Sequence, residues 1–196
     1  MTTPLLTLYL FRHGQTAWSV TGQHTGRTDI PLTEHGREQA LALRDTVSQI
    51  HFSLVLVSPL SRATETAALA GLESVMTICD NLAEFDYGDY EGLTTDQIRE
   101  KVPDWTIWTH PCPGGESMQD AARRCQKVID TAGSAGGNVA IVAHGHILRI
   151  LTATWLGLSP DFGKCFMLDT STVSVLSHEH ELPAIEMWNA RCPTLG

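Results

Sequence analysis

Three short runs of this chain, Leu5–Phe11, Leu54–Val57 and Val139–Ala143, are rich in Leu, Val and Ile and lack the in–out alternation of a half-exposed strand. A strand that is apolar on both faces needs cover on both faces, which a mostly parallel sheet between two helix layers provides. Helical spacing lies between the runs. From Glu34 to Ile50 the positions Ala40, Leu43, Val47 and Ile50 recur at three and four, with Pro31 and Thr33 marking the start. Ala121, Cys125, Val128, Ile129 and Ala132 repeat the pattern before a break at Gly133–Gly137, and a further helix is predicted over Ile147–Trp155, ending at Gly157. The tail predicts strands near Thr172–Leu176 and Pro183–Met187, with a turn through His178–Glu181. The expected fold is therefore α/β, a three-layer sandwich with a mostly parallel central sheet and helices on both faces.

The length of 196 residues suits one domain, residues 1–196, able to bury a core without disulfide or metal support. Between Asp80 and Glu116 the text changes: acids, aromatics, Gly and Pro crowd together, with only short helices expected near Thr95–Lys101 and Asp104–Thr109. Such a segment reads as a lid-like insertion over one end of the sheet. Lys and Arg number 13 against 22 Asp and Glu, a net charge of −9, and the only lysines are Lys101, Lys127 and Lys164. No basic stripe is available for a nucleic-acid backbone or an anionic membrane. Cys79, Cys112, Cys125, Cys165 and Cys192 are odd in number and never form a C-x-x-C, which fits free thiols in a reducing compartment. The start, Met1-Thr2-Thr3-Pro4-Leu5-Leu6, lacks the basic n-region and cleavage site of a signal peptide, so a cytoplasmic location is expected. Oligomeric state stays open, a homo-oligomer included.

Two of the apolar runs end alike. The first enters Phe11-Arg12-His13-Gly14 and the late one Ala143-His144-Gly145-His146, while the middle run leads into Ser58-Pro59-Leu60-Ser61-Arg62. Ligands of open α/β sheets bind at the carboxyl ends of the strands, so these arginines and histidines are expected to converge there. A cationic pocket in an acidic chain calls for a small anion, and guanidinium forks match phosphate oxygens. A histidine flanked by arginines is held neutral and nucleophilic near pH 7. The missing proton donor for a leaving oxygen is sought in Glu84-Phe85-Asp86-Tyr87-Gly88-Asp89-Tyr90-Glu91-Gly92, with Glu84 the candidate, kept protonated by partial burial. The H-x-H pair His144/His146 could in other settings bind zinc or iron, but its neighbours are arginines rather than carboxylates, so no metal or other cofactor is expected. His178-Glu179-His180 reads as an exposed turn, His35 and Arg37 as the solvated start of a helix, and Trp105 and Trp108 as lid-core residues.

Arg12-His13-Gly14 at the end of a first strand resembles the signature of the histidine phosphatase superfamily, which includes the cofactor-dependent phosphoglycerate mutases. The loop Gly22–Thr33, the segment Ser58–Thr66, the Glu84 segment and His144-Gly145 resemble its later motifs in the same order, so the likeness covers nearly the whole chain. It implies a phosphohistidine on His13, with Arg12, Arg62 and His144 around the phosphoryl group and Glu84 protonating the leaving group and then activating water. It also implies that Ser19, Thr25, Gly26, Tyr87 and His146, with Trp18 beside them, meet the rest of the substrate. Mutases of this kind carry Trp-Asn where this chain has Trp18-Ser19, usually Asn at His146, and a longer basic insertion. Here Leu93–Glu116 offers only Arg99 and Lys101, followed by Arg123-Arg124. The resemblance is strongest to broad-specificity acid phosphatases and the sedoheptulose bisphosphatase branch. It implies a metal-independent phosphatase acting on small phosphorylated metabolites; a phosphoglycerate mutase is the alternative, and a silent phosphate-ligand domain stands behind both.

Overall fold

The computed structural model describes residues 5–191; the first four residues and Cys192 lie outside it. Six strands form one sheet: β1 (Thr7–Arg12), β2 (Leu54–Val57), β3 (Met76–Ile78), β4 (Asn138–Ala143), β5 (Thr172–Glu179) and β6 (Leu182–Arg191), in the order β3-β2-β4-β1-β5-β6. The first four are mutually parallel, and β5 and β6 add an antiparallel edge beside β1. The fold is the α/β sandwich that the apolar runs imply. Alternate residues of each central strand enter opposite cores. Leu8, Leu10, Val139, Ile141 and Ala143 pack on one face with α6 (Met118–Ala135) and α7 (Gly145–Trp155). Phe11, Val55, Val57, Ala140 and Val142 pack on the other with Leu43, Val47 and α4 (Ser61–Leu69).

The helices follow their caps. Thr33 accepts the N–H of Gly36 and starts α2 (Glu34–Ala42), but the pattern predicted to run on to Ile50 divides at Leu43 into a second short helix, α3 (Arg44–Ser48). The second helix, α6, passes through Gly133 and stops only at Gly136, whose positive φ of 65° ends it. The third, α7, starts two residues before the predicted Ile147, on the Gly that leaves β4. The hairpin turn is narrower than expected. His178 and Glu179 belong to β5, and only His180 and Glu181 turn, with His180 at a φ of 55°. His178 packs edge-on against Trp155, with ring centroids 4.9 Å apart, so it is not part of an exposed turn.

Between residues 80 and 116 the short helix expected from Thr95 forms as α5 (Thr95–Arg99), closed by a Thr94/Gln97 capping box. The one expected over Asp104–Thr109 does not: the stretch is a series of turns. Pro103 removes a donor, and Asp104 takes a φ of 61° that a helix cannot use. After β1 the chain makes α1 (Ala17–Thr21), itself capped by a Thr16/Ser19 box. Gly14 and Gly36 allow the β1 exit and the α2 entry to touch: a Cβ on Gly14 would lie 2.3 Å from the Gly36 carbonyl oxygen. No helix among the described residues is long and apolar enough to cross a membrane.

Candidate active site

Strand register places the site. Arg12 pairs with Ala143, and Val57 with Val142, so the next residue of each strand brings His13, His144 and Ser58 together at the carboxyl edge. The His13 and His144 rings lie 5.0 Å apart, and His144 Nε2 is 2.6 Å from Ser58 Oγ. His13 Nδ1 stands 2.7 Å from the Gly14 carbonyl oxygen, which can only accept, so Nδ1 carries the proton. Burial first, and then Arg12 and Arg62, hold the His13 pKa well below 6.5. A neutral ring protonated at Nδ1 leaves the Nε2 lone pair free, and His13 lines a cavity of about 190 Å³.

His144 has the opposite tautomer. Arg62 Nε donates to its Nδ1 at 3.1 Å, so a neutral His144 donates through Nε2 to Ser58. Burial, followed by Arg62, keeps His144 neutral. Arg62 and His144 are fully buried and lie under the cavity rather than on its wall. The remaining Arg62 bonds run to the carbonyls of Thr25, Gly26 and Thr28 at 2.9 to 3.1 Å. Its fork therefore shapes the 25–28 loop. Arg12 lines the cavity and donates through Nη1 to the Leu168 carbonyl, while its buried Nε has no partner among the described residues.

Among the described residues Glu84 is the only carboxylate on the cavity wall. It caps α7 from a distance: Oε1 accepts the Phe85 and Ile147 N–H groups, both at 2.9 Å, and Oε2 accepts the His146 N–H at 3.0 Å. The His146 and Ile147 N–H groups are orphan donors of the helix N-terminus, and His144 at the N-cap supplies no side-chain bond of its own. Oε2 keeps one lone pair beyond its single donor. Of the neighbouring acids, Asp86 pairs with Arg27 at 3.5 Å and Asp89 is exposed, so neither competes for the position.

Among the residues expected around a substrate, Ser19, Thr25, Tyr87 and His146 line the cavity and Gly26 does not. Gly26 is buried behind it, donating its N–H to Glu91 Oε1 at 2.7 Å, and a Cβ there would meet the Phe85 carbonyl oxygen at 2.5 Å. Trp18 also stands off the wall, its ring resting over Gly92. Tyr87 and His146 share a 2.6 Å bond between phenol and Nδ1; burial raises the Tyr87 pKa well above 10 and lowers that of His146 well below 6.5, so both are neutral. Trp105 is a core residue, whereas Trp108 is half-buried beside His146. Arg37 pairs with Glu65 at 2.6 Å, and His35 faces a groove along α2 that adjoins the cavity at Arg12 and Ser19.

Sequence reasoning passed over Thr16, Gln23, His24 and Arg149, all of which line the cavity. Burial pushes the His24 pKa down to about 4. The signal for Arg149 was its place three residues after His146 on a predicted helix, which puts both on one face. Among the described residues no group of three or more His, Cys, Asp or Glu is placed to hold a metal ion.

An α/β sheet whose central parallel strand brings an arginine and a neutral histidine to one small cavity, where a loop adds a buried carboxylate and a helix a second arginine, defines a phosphoryl-handling protein class. The chain belongs to the histidine phosphatase superfamily (branch 1), which it matches over residues 8–191. An acid phosphatase of Mycobacterium tuberculosis is 41% identical over 88% of this chain and 87% of its own. A 2,3-bisphosphoglycerate-dependent phosphoglycerate mutase of Sinorhizobium fredii is 38% identical over 74% of this chain and 77% of its own. A solved structure of a Mycobacterium tuberculosis open reading frame superposes with a TM-score of 0.90 at 38% identity, covering 96% of this chain and 99% of that one.

Proposed function

We propose that this chain is a metal-independent phosphomonoesterase for small phosphorylated metabolites, working in a cytoplasmic setting that its free thiols suit. The observation that carries the reading is the tautomer of His13: a neutral imidazole with Nδ1–H fixed on the Gly14 carbonyl and Nε2 open to a cavity that Arg12 also lines. Nε2 attacks phosphorus, the bond to the ester oxygen breaks, and Glu84 gives that oxygen a proton. Water then attacks the phosphohistidine, Glu84 takes its proton, and inorganic phosphate leaves. Arg12 neutralises the phosphoryl oxygens from the wall, and Arg62 adds charge from beneath the floor. Ser19, Thr25, Tyr87 and His146 meet the leaving group. Residues 80–116 act as the cap of a single domain.

The mutase relative is the ground for a second reading. A mutase must hold a bisphosphate while it reorients, and the basic residues of the inserted region are engaged elsewhere. Arg99 bonds the Trp105 carbonyl at 2.9 Å, Arg124 pairs with Glu116 at 2.6 Å, and neither they nor Lys101 nor Arg123 line the cavity. Beyond Arg12 the cavity wall carries one further guanidinium among the described residues, Arg149, too little to retain a bisphosphate through its reorientation, so hydrolysis is favoured. A phosphorus NMR time course in EDTA, with 3-phosphoglycerate and a trace of bisphosphoglycerate, tests this. Inorganic phosphate is expected to grow; a 2-phosphoglycerate signal without free phosphate would replace the phosphatase reading with the mutase one.

A further inference from the structure

Arg149 is the second guanidinium on the cavity wall, and the hydrolytic scheme above gives it nothing to do. It projects from α7 one turn beyond Gly145, where a built Cβ would lie 3.4 Å from Arg12 Cζ. Its Nε donates to the Gly163 carbonyl at 2.9 Å and its Nη2 to the Lys164 carbonyl at 3.3 Å. Trp108 covers one face of the guanidinium, 4.6 Å from its ring centroid, and also touches His146 at 5.3 Å. Gly163 makes room for that indole, since a Cβ there would meet it at 2.6 Å. The fork is therefore held in place by two carbonyls and an aromatic ring.

A tether between α7 and the 163–164 turn would account for those two bonds. It would not account for Nη1, which has no hydrogen-bond partner among the described residues, or for the lack of a direct acid partner: among the described residues no carboxylate lies within 4 Å of Arg149 or of Arg12. Among the described residues two half-buried cations share one wall with a single carboxylate, Glu84, that neither of them contacts directly, so a bound anion is favoured there. A phosphoryl group beside His13 answers Arg12. Arg149 stands one turn further along the helix, roughly 6 Å by its rise, and its two bonds tie the fork to the 163–164 turn rather than to the residues around His13.

We infer that Arg149, fixed by Trp108 and the 163–164 carbonyls, reads a second anionic group on the substrate. The enzyme then selects phosphomonoesters that carry a carboxylate or a second phosphate a few bonds from the transferred phosphoryl group. The inference rests on the phosphatase reading and names the substrate class for that site. Planar guanidinium suits either anion, and the two are separated by choice of probe.

Phosphate release is measured in EDTA at constant ionic strength from 3-phosphoglycerate, fructose 1,6-bisphosphate and glycerol 3-phosphate, with p-nitrophenyl phosphate as a reporter of phosphatase activity itself. The wild-type protein is expected to favour at least one of the two probes with a second anionic group over glycerol 3-phosphate by tenfold or more in kcat/KM, and which one it favours tells carboxylate from phosphate. Arg149→Met, which keeps apolar contact with Trp108, should lower that ratio at least tenfold, mostly through KM, and Arg149→Lys should lower it less. Equal kcat/KM on the three probes in the wild-type protein overturns the assignment without recourse to any variant. An equal loss on all probes in Arg149→Met overturns it too, leaving a tether. Turnover of p-nitrophenyl phosphate without any preference sinks this inference alone; no phosphate from any probe sinks the phosphatase reading with it.

Discussion

His13 has one ring nitrogen tied to its neighbour's carbonyl and the other free beside a cavity that Arg12 also lines, which is the ground for proposing it as the attacking atom. His13→Ala should lower kcat by about 10³-fold or more, as removal of a nucleophile does. The acid-labile, alkali-stable phosphoprotein formed by the wild-type chain should vanish with it; a phosphoprotein persisting in the variant would remove His13 from the role. Glu84 can be probed through the leaving group. Its single-donor oxygen Oε2 is where a proton for the departing oxygen would be held. Glu84→Gln should slow hydrolysis of an alkyl phosphate by about 10²-fold or more, the range of general acid catalysis. The loss on p-nitrophenyl phosphate, whose leaving group departs without a proton, should be smaller. Equal losses on both esters would mean that Glu84 serves α7 as a cap and does not move protons. The tautomers of His13 and His144 are opposite for a reason visible in their partners: a carbonyl must receive a proton, and Arg62 must give one.

At the level of elements, the Glu84 loop is pinned from below by α6. Arg124 donates to the carbonyls of Asn81, Ala83 and Glu84 at 2.6 to 3.2 Å and pairs with Glu116, both partners being nearly buried. Removing one member of such a network leaves an unmatched buried charge, so Arg124→Ala should cost about 3 kcal/mol of stability by urea unfolding. It should also lower kcat, because the loop that aims Glu84 loses three anchors. A variant with unchanged stability and unchanged kcat would show that the loop holds itself. None of this was visible in the sequence, where Arg123-Arg124 read only as a basic pair. What the sequence did disclose was the strand-end chemistry: Arg12, His13, Ser58 and His144 each follow an apolar run, and parallel register then forces them together. Periodicity also found α2, α6 and α7, since each buries a stripe at three and four. It failed where tertiary contacts decide. The β2–α4 unit places Arg62 in the first turn of a helix that was read only as a motif, and β3 is three residues long with two exposed. Gly26 was expected on the cavity wall because a loop motif records proximity but not direction.

For the molecule as a whole, the site is a store of unprotonated histidine inside a chain of net charge −9. His13, His24, His144 and His146 all have pKa values lowered chiefly by burial, His24 to about 4 and the others well below 6.5. In the unfolded chain each would titrate near 6.5. Below that pH the unfolded state binds protons that the folded state refuses, so the stabilisation present above 6.5 is lost as the solution is acidified. Each group contributes a slope of about 1.4 kcal/mol per pH unit once its unfolded form is protonated, and four together at most about 5.5 kcal/mol per pH unit. Against a total stability of about 5–15 kcal/mol that is a large share. Stability by urea unfolding should therefore fall steeply between pH 6.5 and pH 5, a window above the range in which ordinary carboxylates titrate. His24→Gln, which can keep a bond to Thr95, should reduce the slope by about 1.4 kcal/mol per pH unit. A stability that stays flat from pH 7 to pH 5 would mean that these rings take up protons in the folded state, and with it would go the neutral His13 on which the nucleophile depends.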